Sequence, residues 1–232
     1  MQEQLRVELL HCTGVFDMSE FGYLPEAPEQ SFGNNKGIFT PKDIYDLTRA
    51  DKYTNYGQLD HLITTNVSSN VSTVNFTGLE TYGNYNVFLL TLNDITIEHD
   101  NKLIGMEFLS NGVASSTNYQ VAGQSCMSNG SFNEIKGTSY PALRLTDNIG
   151  NATNECANSY VYIYNNLDST KYSFITYHGL FQSNSNVQGS EFGSGVLPTT
   201  RFDNGLRLHP DQNGSSNFTG GNFSLYGIKE YS

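Results

Sequence analysis

The side chains of this 232-residue chain that could do chemistry are five histidines, three cysteines and 23 acids, and their spacing argues against most of it. Glu98-His99-Asp100 puts three potential metal ligands in a row. Neighbours on a strand point to opposite faces, so the triplet reads as a solvated turn. His11, His61, His178 and His209 stand alone, with no HxH or HExxH partner. His178, within Tyr177-His178-Gly179, reads as a strand or interface residue. Cys12, Cys126 and Cys156 are odd in number and widely spaced, which predicts three reduced thiols. There is no G-x-S-x-G elbow and no glycine loop followed by Lys. Gly193-Ser194-Gly195-Val196 has phosphate-loop composition, but Pro198 follows where a helix would have to begin. Glycoside hydrolysis needs two carboxyls about 5–10 Å apart. A chance pair such as Glu134 with Asp147 is the nearest approach to that pattern. The sequence therefore assigns no catalytic residue, metal ligand or cofactor, and predicts a non-enzymatic protein.

What the composition favours is binding. The chain holds 26 Asn, 23 Ser, 20 Thr and 22 Gly, with 15 Tyr, 14 Phe and no Trp. Asn, Ser, Gly and Tyr at a surface combine adaptable hydrogen bonding with rigid stacking area, which suits sugars. The net charge of −11 repels phosphate backbones and anionic membranes, so neither nucleic-acid binding nor membrane insertion is expected. No apolar run approaches the roughly 18 residues of a membrane span. Met1–Leu10 carries acids and one Arg, so no signal peptide is expected there. Asn-x-Ser/Thr sequons, as at Asn66 and Asn217, arise by chance in such a chain.

The elements that must carry this surface are mainly strands. The fold class predicted is mainly β: a jelly-roll-like antiparallel β-sandwich with an irregular N-terminal arm and one short helix. Residues 1–35 form the extended attachment arm, 36–58 a short helix and connector, and 59–232 the β-sandwich domain. In the arm, Leu5, Val7 and Leu9 alternate with polar residues, and Phe16 and Phe21 sit in a proline-punctuated acidic stretch that cannot form a core of its own. The helix begins with Thr40 as N-cap and Pro41 at its first position, and is expected to end near 51–53. Ile44, Tyr45 and Leu47 give it a short apolar face. These eight apolar residues of arm and helix are the candidates for attachment or oligomerisation. Strands are expected near 59–67, 71–77, 85–97, 102–109, 117–122, 141–146, 159–165, 171–181, 204–209 and 221–229, separated by Asn-Gly turns. Val87-Phe88-Leu89-Leu90 predicts a central strand covered on both sides. In Tyr160-Val161-Tyr162-Ile163-Tyr164 the aliphatic residues are expected inward and the tyrosines outward.

Four stretches carry a family resemblance: Gly37-Ile38-Phe39-Thr40-Pro41-Lys42-Asp43-Ile44-Tyr45-Asp46-Leu47, Tyr56-Gly57-Gln58-Leu59, Asp203-Asn204-Gly205-Leu206-Arg207-Leu208 and Asn222-Phe223-Ser224-Leu225-Tyr226-Gly227-Ile228-Lys229. Their order resembles tail-fibre-like virion structural proteins of marine and cyanobacterial tailed phages, over residues 36–232. The resemblance implies a jelly-roll-like virion component with no enzyme activity. It implies a tail fibre or fibre-associated protein located at the particle surface, with a capsid decoration or head-fibre protein as the alternative. Expected partners are other virion proteins of tail or capsid, further copies of the chain as a homo-oligomer (a trimer), and a host surface glycan.

Overall fold

The computed structural model describes residues 30–31, 34–35, 40–50, 58–82, 85–211 and 214–229. The chain divides into two compact units, Met1–Tyr56 and Gly57–Ser232. In the first unit, β1 (Gln30–Ser31) pairs antiparallel with β2 (Asn34–Asn35), so the stretch read as irregular contains a two-residue ladder. Helix α1 (Pro41–Arg49) starts as the sequence requires. Thr40 accepts a hydrogen bond from the Asp43 backbone N–H, and the Asp43 carboxylate accepts one from the Thr40 N–H. Two orphan donors are thus satisfied reciprocally, with Asp43 in the place Glu usually takes. The helix stops at Ala50, earlier than expected, where the backbone N–H turns back to the Asp46 and Thr48 carbonyls.

The second unit is built from β3 (Leu59–Val67), β4 (Val74–Thr77), β5 (Val87–Ile97), β6 (Gly105–Ser110), β7 (Val113–Ala114), β8 (Tyr119–Met127), β9 (Phe132–Tyr140), β10 (Leu143–Arg144), β11 (Ala157–Tyr164), β12 (Ser173–Gln182), β13 (Gln188–Leu197), β14 (Gly205–His209) and β15 (Phe218–Ile228). A 3₁₀ turn, Leu79–Tyr82, follows β4. All pairings are antiparallel. One sheet runs β3-β15-β5-β11-β12-β13-β8-β9, the other β10-β6-β14-β4 with β7 beside β6. Removing the excursions β7–β9 and β12–β13 leaves β3-β15-β5-β11 facing β4-β14-β6-β10. That is the strand order of an eight-stranded jelly roll, in which the chain crosses repeatedly between sheets. Strands β8, β9, β12 and β13 widen the first sheet from four strands to eight, while β7 adds only a two-residue strand beside β6.

Alternation builds the core. Phe88, Leu90 and Leu92 of β5, Val161 and Ile163 of β11, and Phe223 and Leu225 of β15 point inward. They meet Val74, Phe76, Met106, Phe108, Leu206 and Leu208 of the smaller sheet in one cluster. As the sequence predicts, Val161 and Ile163 are fully buried while Tyr160 faces out. The β5 run differs from expectation: Val87 and Leu89 are only half-buried, because no described element of the second unit packs over the outer face of the large sheet. Leu89 is shielded from the side by Tyr162 and Tyr226, its neighbours across the ladder.

The Asp203-Asn204-Gly205 stretch singled out in the sequence is a structural corner. Asp203 is fully buried and accepts a 2.6 Å bond from Ser173 Oγ. Asn204 accepts from the Asn111 N–H and donates to Glu80. Tyr119 performs a similar task within the core: its buried Oη accepts the Phe108 N–H at 2.7 Å. Tyr119→Phe removes that acceptor and leaves a buried N–H without a partner. The expected loss is about 1–3 kcal/mol in urea unfolding, with the fold retained.

Candidate binding face

The outer face of the large sheet is the most distinctive surface of the molecule. Register, not sequence proximity, assembles it. One continuous cross-strand row runs from Thr64 through Ser224, Thr91, Tyr160, His178, Phe192 and Gln124 to Glu134. Within it the rings of Tyr160 and His178 lie 5.7 Å apart, and those of His178 and Phe192 6.2 Å apart, both edge to face. Tyr162 extends the cluster at 6.1 Å from Tyr160. Phe132, Tyr160, Phe174, Leu180 and Phe192 of this face are 42–66 % exposed. Exposed apolar side chains scattered singly are ordinary, whereas a set of this size on one face makes that face the candidate binding surface.

The face is also uncharged at its centre. The outward residues of β11, β12 and β13 include no Asp, Glu, Lys or Arg. At its margin Glu134 pairs with Lys136, two residues along β9. Two depressions open onto the face. One, about 250 Å³, is lined by Thr91, Asn93, Asn158, Ser159, Tyr160, His178 and Leu180. The other, about 410 Å³, lies among β8, β9, β12 and β13 and includes Lys136, Phe174 and Ser194.

A bulge shapes the first depression. The β11–β5 register jumps from Ala157↔Ile95 to Ser159↔Leu92, so Asn93 and Asp94 of β5 together oppose the single Asn158 of β11. On the other side, Gly221 of β15 stands alone opposite Asp94 and Ile95, between Gly220↔Thr96 and Asn222↔Asn93. Asp94 takes a left-handed φ of 55°, and its N–H donates to Asn158 Oδ1 at 2.8 Å. Bulges of this kind re-aim side chains and recur beside binding sites.

Inside the sandwich lies a buried ionic cluster. Arg144 of β10 reaches Glu191 of β13 at 3.3 Å and also pairs with Asp147. Tyr177 Oη donates to Glu191 at 3.1 Å. Glu191 is fully buried, and this desolvation raises its carboxyl from the ordinary 4.5 to about 7, with Arg144 opposing the rise. The cluster links the two sheets. Glu191 and Asp147 share Arg144 between them, so one guanidinium serves two carboxyls.

The other sequence candidates disperse. Leu5, Val7, Leu9, Phe16, Phe21, His11 and Cys12 lie outside the described residues. Ile44 and Leu47 are half-exposed and Tyr45 is 65 % exposed, so no residue of α1 is buried. Glu98-His99-Asp100 is a turn: Glu98 accepts from Asn70 and Asn217, and Asp100 from the Asn151 N–H. Glu134 stands on the outer face with Lys136, while Asp147 is held by Arg144. His209 packs over Gly105, where a Cβ would lie 2.3 Å from the ring, so it fills space between β14 and β6. His61 bonds Thr64 at 2.8 Å. Cys126 and Cys156 are free thiols. Gly193–Val196 lies within strand β13. Among the described residues no three His, Cys, Asp or Glu gather in a metal-binding group. His178, read from sequence as a strand or interface residue, is the one histidine in the aromatic row. Its ring neighbours Tyr160 and Phe192 stand on the adjacent strands β11 and β13, and only the strand register aligns the three. No family model matches the chain, and no curated protein matches it.

Proposed function

We propose that this chain is a non-enzymatic virion structural protein of a tailed phage: a tail fibre or fibre-associated component, anchored by its N-terminal part and displaying the β domain for attachment to a host surface. The observation that carries the proposal is the wide outer face of the large sheet, ring-bearing and uncharged at its centre on a chain of net charge −11. A jelly roll needs only four strands in that sheet. The excursions β12–β13 and β8–β9 enlarge the face without adding to the smaller sheet. Surface area rather than a pocket is what such a design supplies, and attachment uses area. The apolar face of α1, on which Ile44 and Leu47 are half-exposed and Tyr45 is exposed, supports anchoring through the first unit. The order of the four sequence stretches supports a place in the virion, with copies of the chain as a closed homo-oligomer.

Position and copy number in intact particles test the proposal, by cryo-electron microscopy with a tag on the C-terminus. Few copies at the tail, together with adsorption blocked by purified protein, are the expected result. Hundreds of copies over the head would replace it with capsid decoration. The anchoring role makes a separate prediction. Replacing Leu5, Val7 and Leu9 by Ser should leave the β domain folded, by circular dichroism, and abolish incorporation into particles. Incorporation at the normal level would remove the arm as the anchor.

A further inference from the structure

We infer that the depression between β5, β11 and β12 is a binding subsite for a neutral saccharide, with Tyr160 as its stacking platform. The inference rests on the attachment reading above and names the ligand class of that face. Three observations carry it. First, the depression joins an exposed ring to neutral hydrogen-bonding groups: Tyr160 is 45 % exposed, and Thr91, Asn93 and Asn158 stand beside it. A sugar ring offers the matching pair, an apolar C–H face and a rim of hydroxyls.

Second, part of this lining is fixed in advance and part is left open. His178 Nε2 is held 2.8 Å from Ser190 Oγ, Asn158 Oδ1 accepts the Asp94 N–H, and the Ser159 hydroxyl donates to the His178 carbonyl. Among the described residues the side chains of Thr91, Asn93 and the Tyr160 hydroxyl make no hydrogen bond, so their donors and acceptors are free for a ligand. Asn93 follows Thr91 on the outward side of β5, and the bulge at Asp94 ends that alternation beside Asn158 at the rim.

Third, charge selects the occupant. The chain carries −11 overall, yet the outward residues of β11, β12 and β13 hold no Asp, Glu, Lys or Arg. An anionic polysaccharide would meet a repelling body and no cation in the subsite. A basic partner would find no carboxylate to pair with at the centre of the face. A neutral glycan requires neither.

The test uses the full chain and isothermal titration with maltohexaose, mannohexaose and galactohexaose as neutral probes, and a heparin hexasaccharide as the anionic one. The expected result is binding of at least one neutral hexasaccharide with Kd at or below about 1 mM. Tyr160→Ala should weaken it at least tenfold with the β fold retained by circular dichroism, since the ring lies outside the core. Thr91→Arg keeps every existing contact but fills the depression, and should weaken binding equally. Binding that survives both substitutions would place the saccharide elsewhere and overturn the inference. So would binding of the anionic probe alone. If no neutral probe binds while the purified chain still blocks phage adsorption, attachment stands and the ligand class is wrong. If Tyr160→Ala instead splits an oligomer in sedimentation and leaves saccharide binding intact, the face joins copies of the chain and the inference fails.

Discussion

Arg144→Met is expected to lower stability at pH 8 by about 3–5 kcal/mol, because it strands the carboxylate of Glu191 inside the sandwich. Glu191 is fully buried, and its remaining partner is the Tyr177 hydroxyl. A neutral hydroxyl cannot offset the desolvation of a charge. The loss should be smaller at pH 5, where Glu191, already raised to about 7, takes a proton instead of remaining charged. The sign follows from linkage. The folded-state value lies above the unfolded 4.5, so the folded state binds the proton more tightly. The stability this confers is fully present below pH 4.5 and is lost as pH rises through 7. His209 acts oppositely. Burial lowers its imidazole from 6.5, so its contribution is present above pH 6.5 and declines below. Glu191→Gln should remove the falling limb, leaving stability flat or rising between pH 5 and 8. The double variant should recover most of the loss at pH 8. Urea denaturation of the four proteins at both pH values decides the matter. Equal losses at pH 5 and pH 8 in Arg144→Met would show that packing of the arginine stem, not charge, links the sheets.

The fold was legible where one face of a strand is apolar and the other is not. β11 shows this best: Ala157, Ser159, Val161 and Ile163 alternate with outward polar and aromatic residues. β13 was illegible because its inward positions include Gly189 and Gly195, and the space above them is taken by side chains of other strands. A Cβ at Gly189 would meet Phe181 at 2.3 Å, and one at Gly195 would meet Leu143 at the same distance. Core density there is supplied by neighbours, so the strand's own sequence looks like a loop. β9 was missed for a different reason. It is the edge of the sheet, and Ile135 is its one buried residue. For the binding face, the outward tyrosines of β11 could be read from alternation. Their alignment with His178 and Phe192 could not, since the register across β11, β12 and β13 is fixed by the turns that join these strands and not by the aligned residues.

Gly221 shows how one residue can hold both the fold and the proposed subsite. It sits in the closing strand at φ 122°, a region that side chains with a Cβ rarely adopt. A Cβ built there would lie 2.6 Å from Ile95 Cδ1, 2.8 Å from the Asp94 carbonyl and 2.9 Å from Ile95 Cα. Two of those atoms are backbone and one belongs to a fully buried side chain, so the clash cannot be relieved by rotating an exposed group. Positive-φ strain of about 1–3 kcal/mol and overpacking of similar size give an expected loss of about 2–6 kcal/mol for Gly221→Ala. The relief open to the chain is to shift β5 at its bulge, the segment that carries Asn93 and Asp94 to the rim of the depression. Gly221→Ala should therefore lower the thermal midpoint by several degrees and also weaken saccharide binding, although residue 221 does not line the site. By contrast, Gly112→Ala is strained by its φ of 82° but meets nothing within 4 Å, and lies in the turn between β6 and β7. It should lower stability by only about 1–3 kcal/mol and leave binding unchanged. Amide exchange at Asp94 and Ile95 separates the causes. Faster exchange confined to Gly221→Ala would show that the bulge positions the subsite. Unchanged exchange at those two amides would mean that Gly221 serves the closing strand alone.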